Sequence, residues 1–225
     1  IAKQNYESGL NGAGRVLVVR KDCYDLSCFH HSNTASYSLS ALDSWLNNTY
    51  INFLDADIRA AISTIKIYCS ARKGNGQVMT IERAVFLLSG TELGKSNANM
   101  TVDGSALSST VINLLKIARW RDSDRPQWTR STDEKIWYYA WGLDYNGDLK
   151  GYNYSELNMG RRPAFTLPSS LYVNDDGSVT TNTAPTMPGS ITIPGSIQGG
   201  STITVSWGAS TDAEGNLEGY IVERS

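Results

Sequence analysis

Residues 128–165, "WTRSTDEKIWYYAWGLDYNGDLKGYNYSELNMGRRPAF", decide the fold of this chain. Between residues 136 and 156 the segment holds seven aromatic residues interspersed with Asn, Asp and Lys. Asn146-Gly147 is the typical dipeptide of a two-residue β-hairpin turn. A core strand is rarely this polar, and a solvent loop is rarely this aromatic. We therefore predict a hairpin that divides its side chains between the core and a partner.

Strand periodicity divides the rings of this hairpin into two sets, because successive side chains of a strand point to opposite faces. Trp137, Tyr139 and Trp141 share one face, and this first half is expected to anchor the hairpin in the fold. Leu143 and Leu149 flank the turn and are expected to point inward. The side chains predicted to point outward are Tyr145, Asn146, Asp148, Lys150, Tyr152 and Tyr154.

The composition of the hairpin is typical of a binding surface. Tyr and Trp offer a large contact area with few rotatable bonds, and each has a polar tip that tolerates water in the free state. Asn, Ser and Asp add adaptable hydrogen bonds, as at protein interfaces. The candidate ligand-binding residues lie within 137–158 and are Trp137, Tyr139, Trp141, Asp144, Tyr145, Asn146, Asp148, Lys150, Tyr152, Asn153, Tyr154, Ser155 and Asn158.

Upstream of the hairpin, the periodicity of apolar residues predicts short helices among strands. Ser38 or Ser40 can cap a helix in which Leu42, Trp45 and Leu46 follow the i, i+3, i+4 spacing. Further helices are predicted in "DADIRAAIS" and in "SALSSTVINLLKIA", the latter with Leu107, Val111, Leu114 and Leu115 on one side. Strands are predicted at 15–20, in "TIKIYCS", and in the apolar run 84–89.

A change in composition near residue 180 predicts a domain boundary. "TTNTAPTMPGS" combines Pro with Thr, Asn and Ser, which is typical of a linker. The predicted organisation is a ligand-binding domain at 1–180, a Thr/Pro linker at 181–189 and a β-rich second domain at 190–225. Three strand patterns are too few to close a sandwich, so we expect the second domain to continue beyond Ser225. Because the chain opens on Ile1, we also expect it to be part of a longer protein.

Charge and hydropathy exclude two classes of function. The net charge is −2 and the isoelectric point is about 5.7, whereas nucleic-acid binding needs a clustered basic face. The basic stretch 119–125 also carries two Asp, so a solvated loop is predicted there. No run of 18 apolar residues is present, so no membrane insertion is expected.

Catalytic and metal-binding patterns are weak. Cys23, Cys28 and one of His30 and His31 would give three zinc ligands, but a fourth is missing, and we predict no metal and no cofactor. No nucleophile or phosphate-loop motif occurs. The carboxylate pairs Asp133/Glu134 and Asp144/Asp148 leave glycoside hydrolysis as an alternative, but we predict a protein that is not an enzyme.

Four segments in order carry a resemblance: "LVVRKDCYDLSCFHHSNTASYSLSALDSWLNNTYINFLDADIRAAI", "VFLLSGTELG", "WTRST" and "GRRPAFTLPSSLYVNDDGSV". Over residues 15–179 the chain resembles a domain family of unassigned function that is common in phages and prophages of gut bacteria. The W-x-R-S and RPA pair also resembles the end of the C-type-lectin-like fold, as used by relatives of formylglycine-generating enzymes and by variable proteins of diversity-generating retroelements.

The resemblance implies an α+β fold with short helices, a twisted and mostly antiparallel sheet, and an exposed binding segment between the two motifs. The residues it implies as structural are Trp45, Trp128, Arg130, Ser131, Arg162 and Pro163. Arg130, Arg161 and Arg162 are accordingly predicted to form buried ion pairs or to hold backbone carbonyls. The motifs for calcium-dependent sugar binding and the late cysteine pair of the formylglycine-generating enzymes are absent from this sequence.

The segment "GGSTITVSWGASTDAEGNLEGYIVERS" is similar to the start of a fibronectin type III domain, with Trp207 as its core Trp and Tyr220 on the next strand. Together the resemblances imply a receptor-binding module of a phage tail fibre or other virion protein, or a bacterial surface protein. The likeness to retroelement variable proteins implies that the binding segment is diversified. The expected partner is a host cell-surface protein or glycan, together with other virion subunits. The alternatives are a structural stalk module whose aromatic patch joins subunits, including copies of itself, and an enzyme of the lectin-like fold.

Overall fold

The computed structural model describes residues 1–31, 36–71, 77–121, 123–173, 179–181, 185–192, 199–200, 202, 204–212 and 219–220. The chain divides into two compact units, residues 1–169 and 170–225. The division falls between Ser169 and Ser170 rather than at the composition change near residue 180. The first unit mixes β-sheets with a few short helices, so the predicted α+β class is confirmed.

A four-stranded antiparallel sheet closes one side of the first unit. Its strands, in spatial order, are β1 (Lys3–Gln4), β2 (Arg15–Val19), β13 (Ala164–Pro168) and β6 (Val85–Phe86). The long pair in this sheet joins β2 to β13, in register from Ala164 opposite Val19 to Pro168 opposite Arg15. We call Arg161-Arg162-Pro163 the RRP motif. The segment that follows it therefore pairs with the strand predicted near the start of the chain.

The second sheet contains the predicted hairpin. Its spatial order is β11 (Leu149–Asn153), β10 (Tyr139–Leu143), β9 (Gln127–Thr132), β12 (Gly160–Arg161) and β3 (Asp25–Leu26). Only the β9–β12 pairing is parallel, and the other three are antiparallel. The W-x-R-S strand thus lies between the hairpin and the RRP segment, and all six of its residues are buried.

Short helices cover the core. They are α1 (Ser8–Asn11), α2 (Ala41–Asn48), α3 (Ala56–Ala61) and α4 (Ser109–Leu115), with 3₁₀ turns at Tyr37–Leu39 and Tyr50–Phe53. The side chain of Ser40 accepts a hydrogen bond from Asp43 N and begins α2 as predicted. Leu42 and Leu46 are buried one turn apart on its inner face.

Two-stranded ribbons complete the first unit. They are β4 (Ile65–Ser70) with β5 (Val78–Arg83), and β7 (Ala118–Trp120) with β8 (Ser123–Arg125). Residues 85–89 of the predicted run 84–89 are buried and Ala84 is half-buried, but only Val85–Phe86 is strand. The reason is that the carbonyls of Leu87 and Leu88 accept hydrogen bonds from Arg130.

Helix α4 differs from its prediction at one position. Leu107, which precedes the helix, and Leu115 are buried, but Leu114 is 73% exposed. Ile112 packs on the core from this helix together with Val111. The predicted apolar face was therefore wrong at Leu114.

The second unit is described by itself. Leu171–Val173 (β14) and Val179–Thr181 (β15) form an antiparallel hairpin. Thr192 and Ser206 form an isolated antiparallel bridge, and the rings of Trp207 and Tyr220 meet edge to face at 5.5 Å. Part of the predicted linker and much of the three predicted strands, including residues 182–184, 193–198 and 221–225, lie outside the described residues.

Candidate binding surface on the β10–β11 hairpin

Trp128 of β9 packs against the β10–β11 hairpin. Its side chain is buried, and its indole Nε1 donates a hydrogen bond to Ser27 O at 2.8 Å. Its ring meets Phe29 and Tyr152 edge to face at 5.3 and 6.0 Å. Burial and these contacts are what the structural role predicted for Trp128 requires.

The hairpin itself is regular, with β10 and β11 in register from Tyr139 opposite Asn153 to Leu143 opposite Leu149. Leu143 is buried and Leu149 packs against the core, as predicted. Gly142 lies in β10 where a Cβ atom would meet Gln127 O at 2.7 Å and Met159 Cε at 2.5 Å. Only glycine therefore lets β10 pack this closely on β9 and on Met159.

The open end of the hairpin carries a chain of three aromatic rings. Trp137 and Tyr138 meet edge to face at 5.1 Å, and Tyr138 meets Tyr139 in the same manner at 4.9 Å. Trp137 is 49% exposed and Tyr138 is 37% exposed, while Tyr139 is half-buried. Trp137 and Tyr138 precede β10, so strand alternation does not govern their direction. The expectation that Trp137 anchors the hairpin was wrong.

Polar side chains border these rings. Asn153 is exposed and lies opposite Tyr139, and its Oδ1 accepts hydrogen bonds from Ser155 N at 3.1 Å and Ser155 Oγ at 2.8 Å. We call Trp137, Tyr138, Tyr139, Asn153 and Ser155 the open-end patch. Tyr138 was not among the predicted ligand-binding residues. The signal that identifies it is its position in the loop before the strand begins.

The loop that presents the rings is held by two acidic side chains. Asp133 Oδ1 accepts hydrogen bonds from Lys135 N at 2.9 Å and Ile136 N at 2.8 Å. Glu134 N donates to Asn99 O at 2.9 Å, and its carboxylate accepts from the hydroxyl of Thr101. Both carboxylates of this candidate catalytic pair therefore position the loop.

The turn end of the hairpin is separate and docks against α4. Asp144 is buried, and its Oδ1 accepts from Asn146 N and Asp148 N, each at 2.9 Å. Lys150 Nζ lies 2.6 Å from Asp144 Oδ2, and this hydrogen bond lowers the pKa of Asp144. Tyr145 is 54% exposed, as predicted. Asp144 thus caps the turn, and Asp148 lies 3.9 Å from Lys95 Nζ.

Three of the predicted binding residues are largely covered. Trp141 is only 6% exposed, as expected for the half of the hairpin that anchors it in the fold. Tyr152 and Tyr154 are half-buried and pack against the core, so their predicted outward orientation was wrong. Burial, followed by the charge of Asp144, raises the pKa of Tyr152 to about 12. The exposed members of the predicted set are Trp137, Tyr145, Asn146, Asp148, Lys150, Asn153, Ser155 and Asn158.

The arginines of the two motifs are structural, as predicted. Arg130 is fully buried against Glu92 and donates to the carbonyls of Tyr68, Leu87 and Asp103. Ser131 Oγ donates to the Asp103 carboxylate at 2.9 Å.

The RRP motif also serves the framework. Arg161 Nε donates to Asp25 Oδ1 at 2.6 Å, and its guanidinium lies 3.4 Å from the centre of the Trp45 ring. Arg162 donates to the carbonyls of Arg20, Lys21 and Leu115. The next residue, Pro163, is buried. An ion pair and bonds to backbone carbonyls are the contacts that the sequence analysis predicted for the motif arginines.

The cysteines are buried and free. Cys28 Sγ lies 3.3 Å from His31 Nδ1, and His30 Nδ1 accepts from Ala41 N. Within the ranges that the structure describes, no three His, Cys, Asp or Glu side chains are grouped to hold a metal ion. No helix in these ranges has the length and apolar character needed to cross a bilayer.

Comparison with known proteins gives one match. No curated protein and no solved structure matches the chain. The model of a domain of unknown function (DUF6273) matches residues 13–169, which is more than half of the chain and ends where the first compact unit ends. This chain therefore belongs to the DUF6273 family.

Proposed function

We propose that the first unit is a non-enzymatic ligand-binding module of C-type-lectin-like fold that binds through the open-end patch. The observation that carries the proposal is the chain of three aromatic rings, Trp137, Tyr138 and Tyr139. Two of these rings are substantially exposed. Exposed aromatic rings beside adaptable polar groups are typical of interface hot spots.

The rigid support of the patch favours binding with little loss of conformational entropy. Asp133 and Glu134 hold the loop before the rings, and Tyr154 N donates to Tyr138 O at 3.0 Å from the neighbouring strand. Rings that are already packed edge to face lose little freedom when a ligand covers them. The arrangement therefore suits recognition better than a mobile loop would.

The placement in a virion or on a bacterial surface rests on the sequence resemblance to phage and prophage domains. On that basis the ligand is a host cell-surface protein or glycan, and residues 190–225 belong to a fibronectin type III domain. The rings of Trp207 and Tyr220, which the resemblance places on neighbouring strands of that domain, meet edge to face. Retroelement diversification of 132–160 would appear in the encoding locus as a reverse transcriptase beside a near-copy of these codons.

The test is binding of the fluorescently labelled chain to a panel of gut bacteria. The double substitution Trp137→Ala/Tyr138→Ala should reduce cell binding at least tenfold, whereas Phe53→Ala, which removes an exposed ring elsewhere, should not. Protease or periodate treatment of the cells separates a protein receptor from a glycan receptor. Loss of binding in Tyr145→Ala with retention in the double variant would move the site to the turn end.

The alternative role as a subunit contact predicts a different result. In that case the double substitution would dissociate an oligomer, measured by light scattering after size exclusion, and would not change cell binding by a monomer. An enzyme would instead lose activity on substitution of Asp133 or Asp144, which cap the loops on either side of β10.

A further inference from the structure

A cleft outside the hairpin separates the segment after β2 from the end of α4 and the ribbon β7–β8. Its volume is about 740 Å³, within the range of small-molecule sites. From the segment after β2, the cleft is lined by Arg20, Lys21 and Asp22. From the other side of the chain sequence, it is lined by Leu114 and Ile117 and by Arg119, Trp120 and Arg121.

Positive charge dominates this cleft. Arg119 pairs with Asp124 at 3.1 Å, but no salt bridge among the described residues neutralises Arg20, Lys21 or Arg121. Among the described residues that line the cleft, Arg20, Lys21 and Arg121 are cations without a salt bridge, and Asp22 is a carboxylate. This excess of positive charge attracts a phosphomonoester, which carries close to two negative charges at neutral pH.

Aromatic rings hold two of these cations in place. The Arg20 guanidinium lies 5.4 Å from the centre of the Tyr24 ring, and the Arg121 guanidinium lies 4.3 Å from that of Trp120. Such cation–π contacts orient a guanidinium without neutralising it. Arg121 also has φ 49°, in the left-handed region that non-glycine residues rarely occupy.

The buried side chain of Arg162 joins the segment after β2 to the end of α4. Arg162 Nε donates to Arg20 O at 2.9 Å, its Nη2 donates to Lys21 O, and its Nη1 donates to Leu115 O at 2.6 Å. Cys23 N also donates to Arg119 O at 2.9 Å across the cleft. The cations are therefore presented by a fixed frame, which lowers the entropic cost of binding an anion.

The apolar lining residues indicate that the ligand is more than a bare anion. Leu114 and Ile117 are exposed side chains that line the same cleft as the cations. We propose that this cleft binds a phosphomonoester on an organic skeleton, with the phosphate at Arg20, Lys21 and Arg121 and the skeleton against Leu114 and Ile117. The proposal is independent of the open-end patch, because none of its residues belongs to that patch.

The experiment is calorimetric titration of the full chain with four probes: glucose 6-phosphate, dihexanoyl phosphatidic acid, inorganic phosphate and glucose. Both phosphate esters should bind at least tenfold more tightly than glucose, and the tighter of the two identifies a sugar or a lipid source. Inorganic phosphate should bind more weakly than the better ester. Binding of glucose at the same affinity, or of inorganic phosphate at the same affinity as both esters, would overturn the proposal.

Substitutions locate the site. Arg121→Gly suits the positive φ of this position and should fold, and together with Lys21→Gln it should weaken the ester at least tenfold. Lys66→Gln removes an exposed charge from β4 and is the control that should retain full affinity. Unchanged affinity in the double variant would refute the site. Trp137→Ala/Tyr138→Ala should still bind the ester, so the failure of either proposal is distinguishable from that of the other.

Discussion

Arg130 and Glu92 form an ion pair in which both side chains are fully buried, with Arg130 Nη1 2.6 Å from Glu92 Oε2. Tyr6 Oη donates to the other carboxylate oxygen at 2.5 Å, and Ser89 N donates to Oε2 at 2.8 Å. The remaining guanidinium donors reach the carbonyls of Tyr68 and Asp103. A buried pair is tolerated only when such bonds satisfy its remaining polar atoms. This network joins the W-x-R-S strand to the segment after β6.

Substitution of Glu92 by Gln should therefore destabilise the first unit strongly. The change leaves Arg130 charged and buried without its counter-ion, which costs about 3–5 kcal/mol. Urea denaturation followed by tryptophan fluorescence measures the free energy of unfolding. The matched control is Asp124→Asn, which removes the partner of the exposed Arg119 and should cost about 1 kcal/mol or less. Equal losses for the two variants would contradict the role assigned to the buried pair.

Asp103 should make stability depend on pH. Burial raises the pKa of Asp103 to about 7 in the folded state, although Arg130 and the Ser131 hydroxyl oppose the shift. The folded chain then holds a proton that the unfolded chain releases above its ordinary pKa near 4. Stability from this group is therefore complete below about pH 4 and is lost as pH rises to about 7, with a slope of about 1.4 kcal/mol per pH unit.

The check is denaturation of the native chain and of Asp103→Asn between pH 4 and pH 8. The Asn side chain cannot ionise and can still accept hydrogen bonds from Ser131 and Thr91. The difference in unfolding free energy between the two proteins should therefore grow with pH in favour of the variant and level off above pH 7. A constant difference across the range would show that Asp103 does not titrate in this window.

Local patterns in the sequence predicted the elements that short-range interactions determine. Ser40 begins α2, and Leu42 and Leu46 face inward because they are one helical turn apart. Leu143 and Leu149 face inward on either side of the Asn146-Gly147 turn because strand alternation fixes them relative to each other. The framework role of Arg130 was also predictable, since its five donors need several acceptors wherever it is buried.

The burial of Tyr152 and Tyr154 was not predictable, because it depends on partners distant in sequence. Tyr152 is covered by Trp128, which lies in another strand, and by the core residues on which it packs. Strand alternation gave no guide to Trp137 and Tyr138, because β10 begins only at Tyr139. Leu114 is exposed because Val111 and Ile112 supply the inner face of α4. The basic cleft joins residues about 100 positions apart, so no local motif marks it.

Gly147 at the turn should tolerate no side chain. Its φ is 78°, and an added Cβ would lie 2.7 Å from Lys116 O at the end of α4. The left-handed conformation costs an L-residue about 1–2 kcal/mol, and the collision with backbone adds to this. Gly147→Ala should therefore destabilise the first unit by about 2–4 kcal/mol in urea denaturation.

Gly9→Ala is the matched control for that substitution. Gly9 lies within α1, and an added Cβ meets no heavy atom within 4 Å. Because alanine is the better helix former, this change should leave stability equal or raise it by up to about 1 kcal/mol. If Gly147→Ala were as mild as Gly9→Ala, the turn would not be docked on α4 as described.

Trp137 and Trp141 are four residues apart, and their truncation to Ala should lower the free energy of unfolding by very different amounts. Trp141 is buried in β10, so Trp141→Ala should cost about 3–5 kcal/mol of unfolding free energy through lost burial and the cavity left behind. Trp137 is half-exposed, and in the described part of the chain its ring meets only that of Tyr138, so Trp137→Ala should cost about 1 kcal/mol or less. Thermal and urea unfolding of the two variants under one set of conditions makes the comparison. Similar costs would mean that Trp137 is held in the fold, and the open-end patch would then lose its leading residue as a surface for a ligand.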